Sequence, residues 1–388
     1  GDRVLVGQKI GEADGFVSSP VHSSVSGVVK VIEERMTHRG IKDMCVVIIQ
    51  DGMYEESEEM AQKARPDYER LTQDELVSLV QEAGLVGMGG ATFPTHVKLS
   101  VPKDKKVEFI IINGAECEPY LTSDHRVMLE NSEEIIAGLK VLLSVFKDAK
   151  AIIGIEDNKM DAISKLTSLV ADESRIEVAT LHTKYPQGSE KHLIYATTGR
   201  EVPSGKLPIE VSCLVHNIDS IVAIYRAVVK GRPIMRRIVT VSGSGVTNPC
   251  NLEVKIGCSY RQLLEKAGWD DARTVKVIAG GPMMGIAMSD IDVPVVKGTS
   301  AILCFTDEEM KNEVATACIR CGKCVDVCPM SLVPNVLHRA ALNGRYETFL
   351  ENDGMDCIEC GCCAYTCPAK RDLVQSIRTA KTAVRAKK

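Results

Sequence analysis

Apolar residues recur at two different periods along this chain, and the changes of period divide it. Through residue 53 the period is short. The runs at 3–6, 25–31 and 45–49 are dense in β-branched residues, with Gly7, Gly11, Gly15 and Gly27 between them. That pattern predicts short strands joined by turns. An acidic stretch at 55–59 with Pro66 behind it reads as a linker over 54–70. From 71 to 235 helical spacing alternates with apolar runs, which predicts an α/β domain with a mainly parallel, Rossmann-like sheet. Thr72 with Glu75 predicts a capping box, Leu76, Leu79, Val80 and Ala83 share one face, and Gly84 stops the helix. Strands are expected at 107–112, 151–155 and 176–181, with a helix at 133–146 that turns Ile135, Ile136, Leu139, Leu142 and Leu143 inward. Over 236–305, strands expected at 238–242, 252–256, 275–278 and 293–296 surround one helix opened by Ser259 and Gln262, a β-grasp-like pattern. The remainder, 306–388, predicts helical cover at 333–342 and from Asp372 onward.

Composition narrows the class. A net charge of −5 gives no reason to expect a nucleic-acid partner. No apolar run approaches the roughly eighteen residues of a membrane-spanning helix. No secretory signal is visible, and a start at Gly1 rather than Met leads us to expect that an upstream piece has been cut away. Fifteen cysteines without a secretory signal point to a reducing compartment and metal ligation. Residues 370–388 carry seven Lys or Arg against one Asp, read as a solvated basic tail, with docking to acidic lipid or protein as the alternative.

The cysteines supply the clearest chemistry. Cys318-x2-Cys321-x2-Cys324-x3-Cys328-Pro329 is repeated as Cys357-x2-Cys360-x2-Cys363-x3-Cys367-Pro368, the only clear internal repeat. This is the bacterial two-cluster ferredoxin run, in which the fourth cysteine of each motif ligates the other cluster. Cys318, Cys321, Cys324 and Cys367 are therefore assigned to one [4Fe-4S] cluster, and Cys357, Cys360, Cys363 and Cys328 to a second. Disulfides and structural zinc are the rival readings; zinc favours two CxxC pairs without a third equally spaced cysteine. Cys117 and Cys362 are read as non-ligands, and Cys45, Cys213, Cys250, Cys258 and Cys304 as buried small hydrophobes.

A second constellation lies in the α/β region. Residues 84–98 (GLVGMGGATFPTHVK) are dense in glycine, which lets backbone lie close to a flat ring or a phosphate. The stretch is no dinucleotide fingerprint, because it follows a helix and lacks the third glycine. Two more segments, 113–119 (NGAECEP) and 185–190 (YPQGSE), follow predicted strands, whose ends bind ligands in α/β sheets.

These segments, with His216-Asn217, resemble the four flavin-site segments of the NADH- and FMN-binding subunit of respiratory complex I. That family also carries a β-grasp (SLBB) domain followed by a cluster-bearing helical domain. The departures are Met88 for an arginine, Thr92 for a glycine, Ser189 for a glutamate, His216 for an asparagine, and two clusters rather than one. Together with Gly280-Gly281-Pro282-Met283-Met284-Gly285 and an N-terminus similar to biotinyl and lipoyl barrel-sandwich carriers (20–27), though without a carrier lysine, they resemble the C-subunit family of the membrane-bound Rnf ferredoxin:NAD oxidoreductase. The resemblance spans nearly the whole chain. It implies a barrel-sandwich domain over 1–53, an FMN- and NAD(H)-binding domain over 71–235, an SLBB domain over 236–305 and a two-cluster domain over 306–388. It implies that Gly87, Gly89, Gly90 and Lys98 line the flavin and nicotinamide face. Asn113, Glu116 and Glu118 are implied to bond the ribityl chain, ring edge or nucleotide, Tyr185, Gly188 and Glu190 to close the pocket, and Asn217 to meet the FMN phosphate. The activity implied is an NAD(H)-dependent flavin and iron–sulfur oxidoreductase subunit of an ion-translocating complex. Its partners would be other subunits and, indirectly, ferredoxin, and its place the cytoplasmic face of the membrane. The rivals are a cobalamin reductase of propanediol microcompartments and a flavin-free electron-relay subunit.

Overall fold

The structure, a computed structural model, describes residues 1–310 and 314–387. Strands β1 (Arg3–Val4), β2 (Lys9–Gly11), β3 (Val21–His22), β4 (Gly27–Met36) and β5 (Lys42–Gln50) form a three-stranded sheet, β1–β4–β5, and a β2–β3 pair. Helix α1 (Glu58–Lys63) lies inside the expected linker, and its Met60 is buried against the bare Cα of Gly7. A Cβ on Gly7 would meet the Met60 sulfur at 2.2 Å, so the linker is packed rather than a spacer.

The α/β unit runs α2 (Gln73–Glu82), α3 (Thr95–Leu99), β6 (Phe109–Gly114), α4 (Ser123–Glu130), α5 (Ser132–Val145), β7 (Lys150–Glu156), α6 (Met160–Leu169), β8 (Ile176–Leu181), α7 (Glu190–Thr198), β9 (Cys213–Asn217) and α8 (Ile218–Val228). Thr72 and Glu75 form the expected capping box. The sheet order is β8–β7–β6–β9, all parallel. Ile110 and Ile112 face the large core with Leu139, Leu142 and Ile221, while Ile111 faces the smaller one with Leu193 and Ile194 of α7. Burial on both faces explains why β6 reads as an unbroken apolar run. All four strands end on one edge, at Gly114, Glu156, Leu181 and Asn217.

A mixed sheet follows, ordered β11–β10–β14–β12–β13: β10 (Arg236–Ser242), β11 (Cys250–Lys255), β12 (Thr274–Ala279), β13 (Ile286–Ala287) and β14 (Ala301–Thr306). Helix α9 (Tyr260–Lys266), capped by Ser259 and Gln262, lays a fully buried Tyr260 on it. Residues 293–296 are not a strand; a single bridge joins Pro294 to Ser259, and Val293 and Val295 are core residues held by that loop. Apolar alternation there reflects burial without a ladder, and β14 takes the strand's place between β10 and β12.

The C-terminal part packs α10 (Lys323–Asp326), α11 (Pro334–Leu342), α12 (Tyr346–Glu351), α13 (Cys362–Thr366) and α14 (Leu373–Ala386) around Leu337, Phe349, Ile377 and Val384. The basic stretch is therefore not a solvated tail as far as residue 387. It is an amphipathic helix whose Leu373, Ser376, Ile377, Ala380, Lys381 and Val384 are buried. Of that stretch, only Lys388 lies outside the described residues. Of the five cysteines expected to be buried, Cys213 and Cys304 are, but Cys45, Cys250 and Cys258 are half-buried.

Candidate functional site

The glycine-rich loop runs from α2 into α3 across the sheet edge. It is closed by a Val86–Pro94 bridge and by Gly87 N–H donating to the Phe93 carbonyl at 2.8 Å. Met88 is buried in its floor: its N–H donates to Ser220 Oγ on α8 at 3.0 Å, and its carbonyl accepts from Arg237 Nη2 at 2.8 Å. Arg237, 2 % exposed, also donates to Asp219 Oδ2 at 2.7 Å and to the Thr299 carbonyl at 3.0 Å. Arg237, the second residue of β10, thus anchors the loop of a neighbouring domain. Gly90 has φ +99°, and a Cβ there would enter open space; a Cβ on Gly89 would touch Asn217 at 3.5 Å.

The other expected residues gather beside this loop. Lys98 donates to Glu190 Oε1 at 2.9 Å and to the Val215 carbonyl at 3.0 Å. Asn113 Nδ2 donates to the Gly188 carbonyl at 2.8 Å, and Gly188 N–H points at the Cys117 sulfur at 3.2 Å. Asn217 caps α8 through Asp219 N–H and gives its Nδ2 to Asp124 Oδ2 at 2.6 Å. Glu116 caps the start of α4, accepting from the Asp124 and His125 amides at 2.7 and 3.0 Å. Two expected residues turn elsewhere. Glu118 accepts from the Met283 and Met284 amides at 3.1 and 2.8 Å, closing the 280–285 loop of the third domain over this edge. Tyr185 donates its hydroxyl to the Cys360 carbonyl at 2.7 Å.

Burial dominates the electrostatics. It raises the Asp124 carboxyl well above its ordinary value, with Glu116 and Asp219 adding to the rise. Burial likewise raises Glu116, against the pull of the two amides it accepts from. Arg237 pairs with Asp219, so the start of α8 carries less negative charge than that aspartate alone suggests. His216, 4 % exposed, is pushed down to about 3 by burial and then by Lys98, and its Nε2 has no partner. Open space at a left-handed glycine, a buried imidazole nitrogen without a partner, and converging amide, lysine and carboxyl groups fit a flavin mononucleotide. Asp124, Asp219, Arg237 and the half-buried Lys297 escape sequence reading, because each is remote in the chain from the loop it supports. Lys297 donates to Ser19 Oγ and to the Pro20 and Gly84 carbonyls at 2.6–2.9 Å, tying the N-terminal domain to the head of the loop.

The eight motif cysteines sort into two cavities. Cys318, Cys321, Cys324 and Cys367 line one of about 370 Å³, together with Arg320, Arg339 and Arg371. Cys328, Cys357, Cys360 and Cys363 line the other, whose remaining wall is apolar: Met330, Leu332, Leu337, Val374 and Ile377. Each proline-flanked cysteine therefore lies with the opposite motif. Among the described residues no three His, Cys, Asp or Glu side chains are grouped as round a single metal ion. The thiols stand as cavity walls, a donor set suited to a cluster of irons. Cys362 and Cys117 line neither cavity. The apolar cavity is the inner one: Tyr185 bonds the Cys360 carbonyl, and His192 Nε2 lies 3.1 Å from the Pro329 carbonyl. Cys318 and Cys321 of the other are exposed.

Comparison with known proteins decides the family. The RnfC barrel sandwich hybrid domain matches residues 1–53, the Nuo51 FMN-binding domain 80–226, the SLBB domain 238–287 and a 4Fe-4S dicluster domain 317–370. The C-subunit of the Na(+)-translocating ferredoxin:NAD(+) oxidoreductase complex of Acetobacterium woodii is 46 % identical over the whole chain and 87 % of its own length. This chain belongs to the C-subunit family of those complexes. The C-subunit of the proton-translocating complex of Clostridium ljungdahlii is 44 % identical, covering the whole chain and 84 % of its own length. The family architecture is thus the one built here, a barrel sandwich, an FMN-type α/β domain, an SLBB domain and a dicluster domain. An NAD+-reducing [NiFe]-hydrogenase structure shares the fold, with a TM-score of 0.57 at 19 % identity over 80 % of this chain and 62 % of that one.

Proposed function

We propose that this chain is the NAD(H)-facing electron-transfer subunit of an ion-translocating ferredoxin:NAD oxidoreductase. It would exchange hydride with NAD(H) through FMN and pass single electrons through two [4Fe-4S] clusters. The observation that carries this is the sorting of eight cysteines into two crossed sets beside a loop that fits a flavin. A nicotinamide gives two electrons at once and an iron–sulfur cluster takes one, and flavin supplies the exchange between them.

The chain's own residues position and insulate. Gly87, Gly89 and Gly90 keep side chains out of the ring's path, and Gly90 alone opens a left-handed turn toward free space. Ser220 and Arg237 fix the loop from below through Met88. Asn113, Glu116 and Asn217 offer hydrogen bonds at the strand ends, while Lys98 and Glu190 form an ion pair that can reopen toward a nucleotide. Tyr185 and Gly188 close the side facing the clusters, and Glu118 holds the 280–285 loop as a lid over the same edge. The inner set (Cys328, Cys357, Cys360, Cys363) sits next to this edge, and the outer set (Cys318, Cys321, Cys324, Cys367) faces solvent, within reach of a docked redox partner. Among the described residues no helix is long and apolar enough to cross a membrane. We place the chain as a peripheral subunit on the cytoplasmic face, bound through other members of the complex.

Anaerobically purified protein should carry FMN with about eight iron and eight sulfide per chain. NADH should bleach the flavin within the mixing time of a stopped-flow experiment and then develop cluster EPR signals. Protein that holds both clusters but no flavin would replace this reading with a flavin-free relay subunit.

A further inference from the structure

The two cysteine motifs repeat in backbone and diverge in charge. Arg320 and Glu359 fill the same place, just before the second cysteine of each motif, and both adopt left-handed φ values of +56° and +58°. Gly322 and Gly361 follow at +79° and +85°. In the outer motif this place holds an exposed arginine. In the inner motif its carboxylate is drawn onto α14, with Lys381 Nζ 2.8 Å from Glu359 Oε1 and Arg378 Nε 2.9 Å from Oε2. Lys381 is 6 % exposed, and its ammonium also donates to the Cys357 carbonyl at 2.6 Å. The Glu359 amide points at the Cys357 sulfur at 3.4 Å. A buried cation thus rests on the backbone of one inner cysteine, opposed by a carboxylate two residues along, in a cavity otherwise walled by apolar side chains.

We propose that Lys381 and Glu359 set the reduction potential of the inner iron–sulfur site with opposite signs. The proposal rests on the two-cluster reading above. Reduction of a cluster adds one negative charge, and a fixed charge nearby changes its cost by the Coulomb energy between them. That energy is larger in a low-dielectric cavity than at the solvent-facing outer site. Lys381 therefore favours the reduced state and Glu359 disfavours it. Neither side chain is in the cavity wall, so both act as charges behind the Cys357–Cys360 segment. Lys381 is a positioning residue that also carries charge. The outer motif, with Arg320, Arg339 and Arg371 around a solvent-facing cavity, lacks this opposed pair.

An EPR-monitored redox titration of the anaerobically purified full chain tests this. Lys381→Met should make the inner cluster about tenfold harder to reduce, ~59 mV for one electron. Glu359→Gln should make it easier by a similar factor, Lys381→Arg should hold the wild-type midpoint, and the outer cluster should not move in any of the three. Shifts of Lys381→Met and Glu359→Gln in the same direction, or unshifted midpoints in both, would overturn the proposal and leave the pair a purely structural clamp. A wild-type chain with about four iron atoms and one EPR signal would overturn the two-cluster reading itself, before any variant is made.

Discussion

Gly90 concentrates the residue-scale argument, because its φ of +99° disfavours any side chain while the space in front of it is open. Gly90→Val should abolish FMN retention and NADH-dependent bleaching while iron content stays at the wild-type level. Normal bleaching in that variant would show that the loop does not face the ring. The crossed cysteines give an equally local test. Cys367 stands in the second motif but lines the first cavity, so Cys367→Ser should damage the outer cluster and spare the inner one in EPR. Titration adds a third. His22 and His216 are buried, with values pushed down to about 4 and about 3. Below pH 6.5 the unfolded chain takes up protons that the folded chain refuses, so stability falls as pH drops toward those values. Each imidazole adds a slope of up to about 1.4 kcal/mol per pH unit. The thermal midpoint should fall between pH 6.5 and 4, and less steeply in His216→Asn; equal slopes would remove His216 as a cause.

Local signals named most of the elements. The Thr72 and Ser259 capping boxes are present as read, and β8 spans 176–181 as expected, because capping and β-branched density act within one turn or strand. The failures share a cause as well. Val293 and Val295 alternate like a strand because they are buried, but their backbone partners are supplied by a loop. The basic C-terminal stretch looked solvated because charge dominates its composition, yet α14 buries one apolar stripe over both cysteine sets. Removing residues 371–388 should therefore cost both clusters, seen as lost iron and lost EPR signals. NADH should still bleach the flavin, since α14 lies in the cluster domain and the loop floor is held by α8 and β10. Retained clusters in the truncated chain would contradict the packing of Val374 and Ile377 on the inner cavity.

On the scale of the molecule, Ile238 of the SLBB sheet packs into the α/β core, and a set of polar anchors ties the four domains together. Lys297 joins the barrel sandwich to the glycine loop, Arg237 joins the SLBB sheet to the same loop, Glu118 holds the 280–285 loop, and Tyr185 and His192 hold the inner cluster segment. The proposed peripheral placement predicts that the chain stays with native membranes at low salt and is released in part at high salt or alkaline pH, because contacts steered by charge weaken with screening. Immunoblots of washed membranes measure this. A native chain found wholly in the soluble fraction at low salt would sink the peripheral placement.

The sequence alone determined the chemistry that depends on short spacing. The eight motif cysteines and their crossed grouping, the glycine-rich loop and the strand-end segments were all legible, because each pattern is set by residue types a few positions apart. Resemblance then ordered the domains. Only the tertiary structure decided which cysteine set lies beside the strand-end segments, since Tyr185 and Cys360 lie 175 residues apart and no local pattern relates them. It alone turned Glu118 to the third domain and placed Asp219 and Arg237 beneath the loop. Buried charges find partners by three-dimensional proximity, and long-range pairing leaves no period in a sequence.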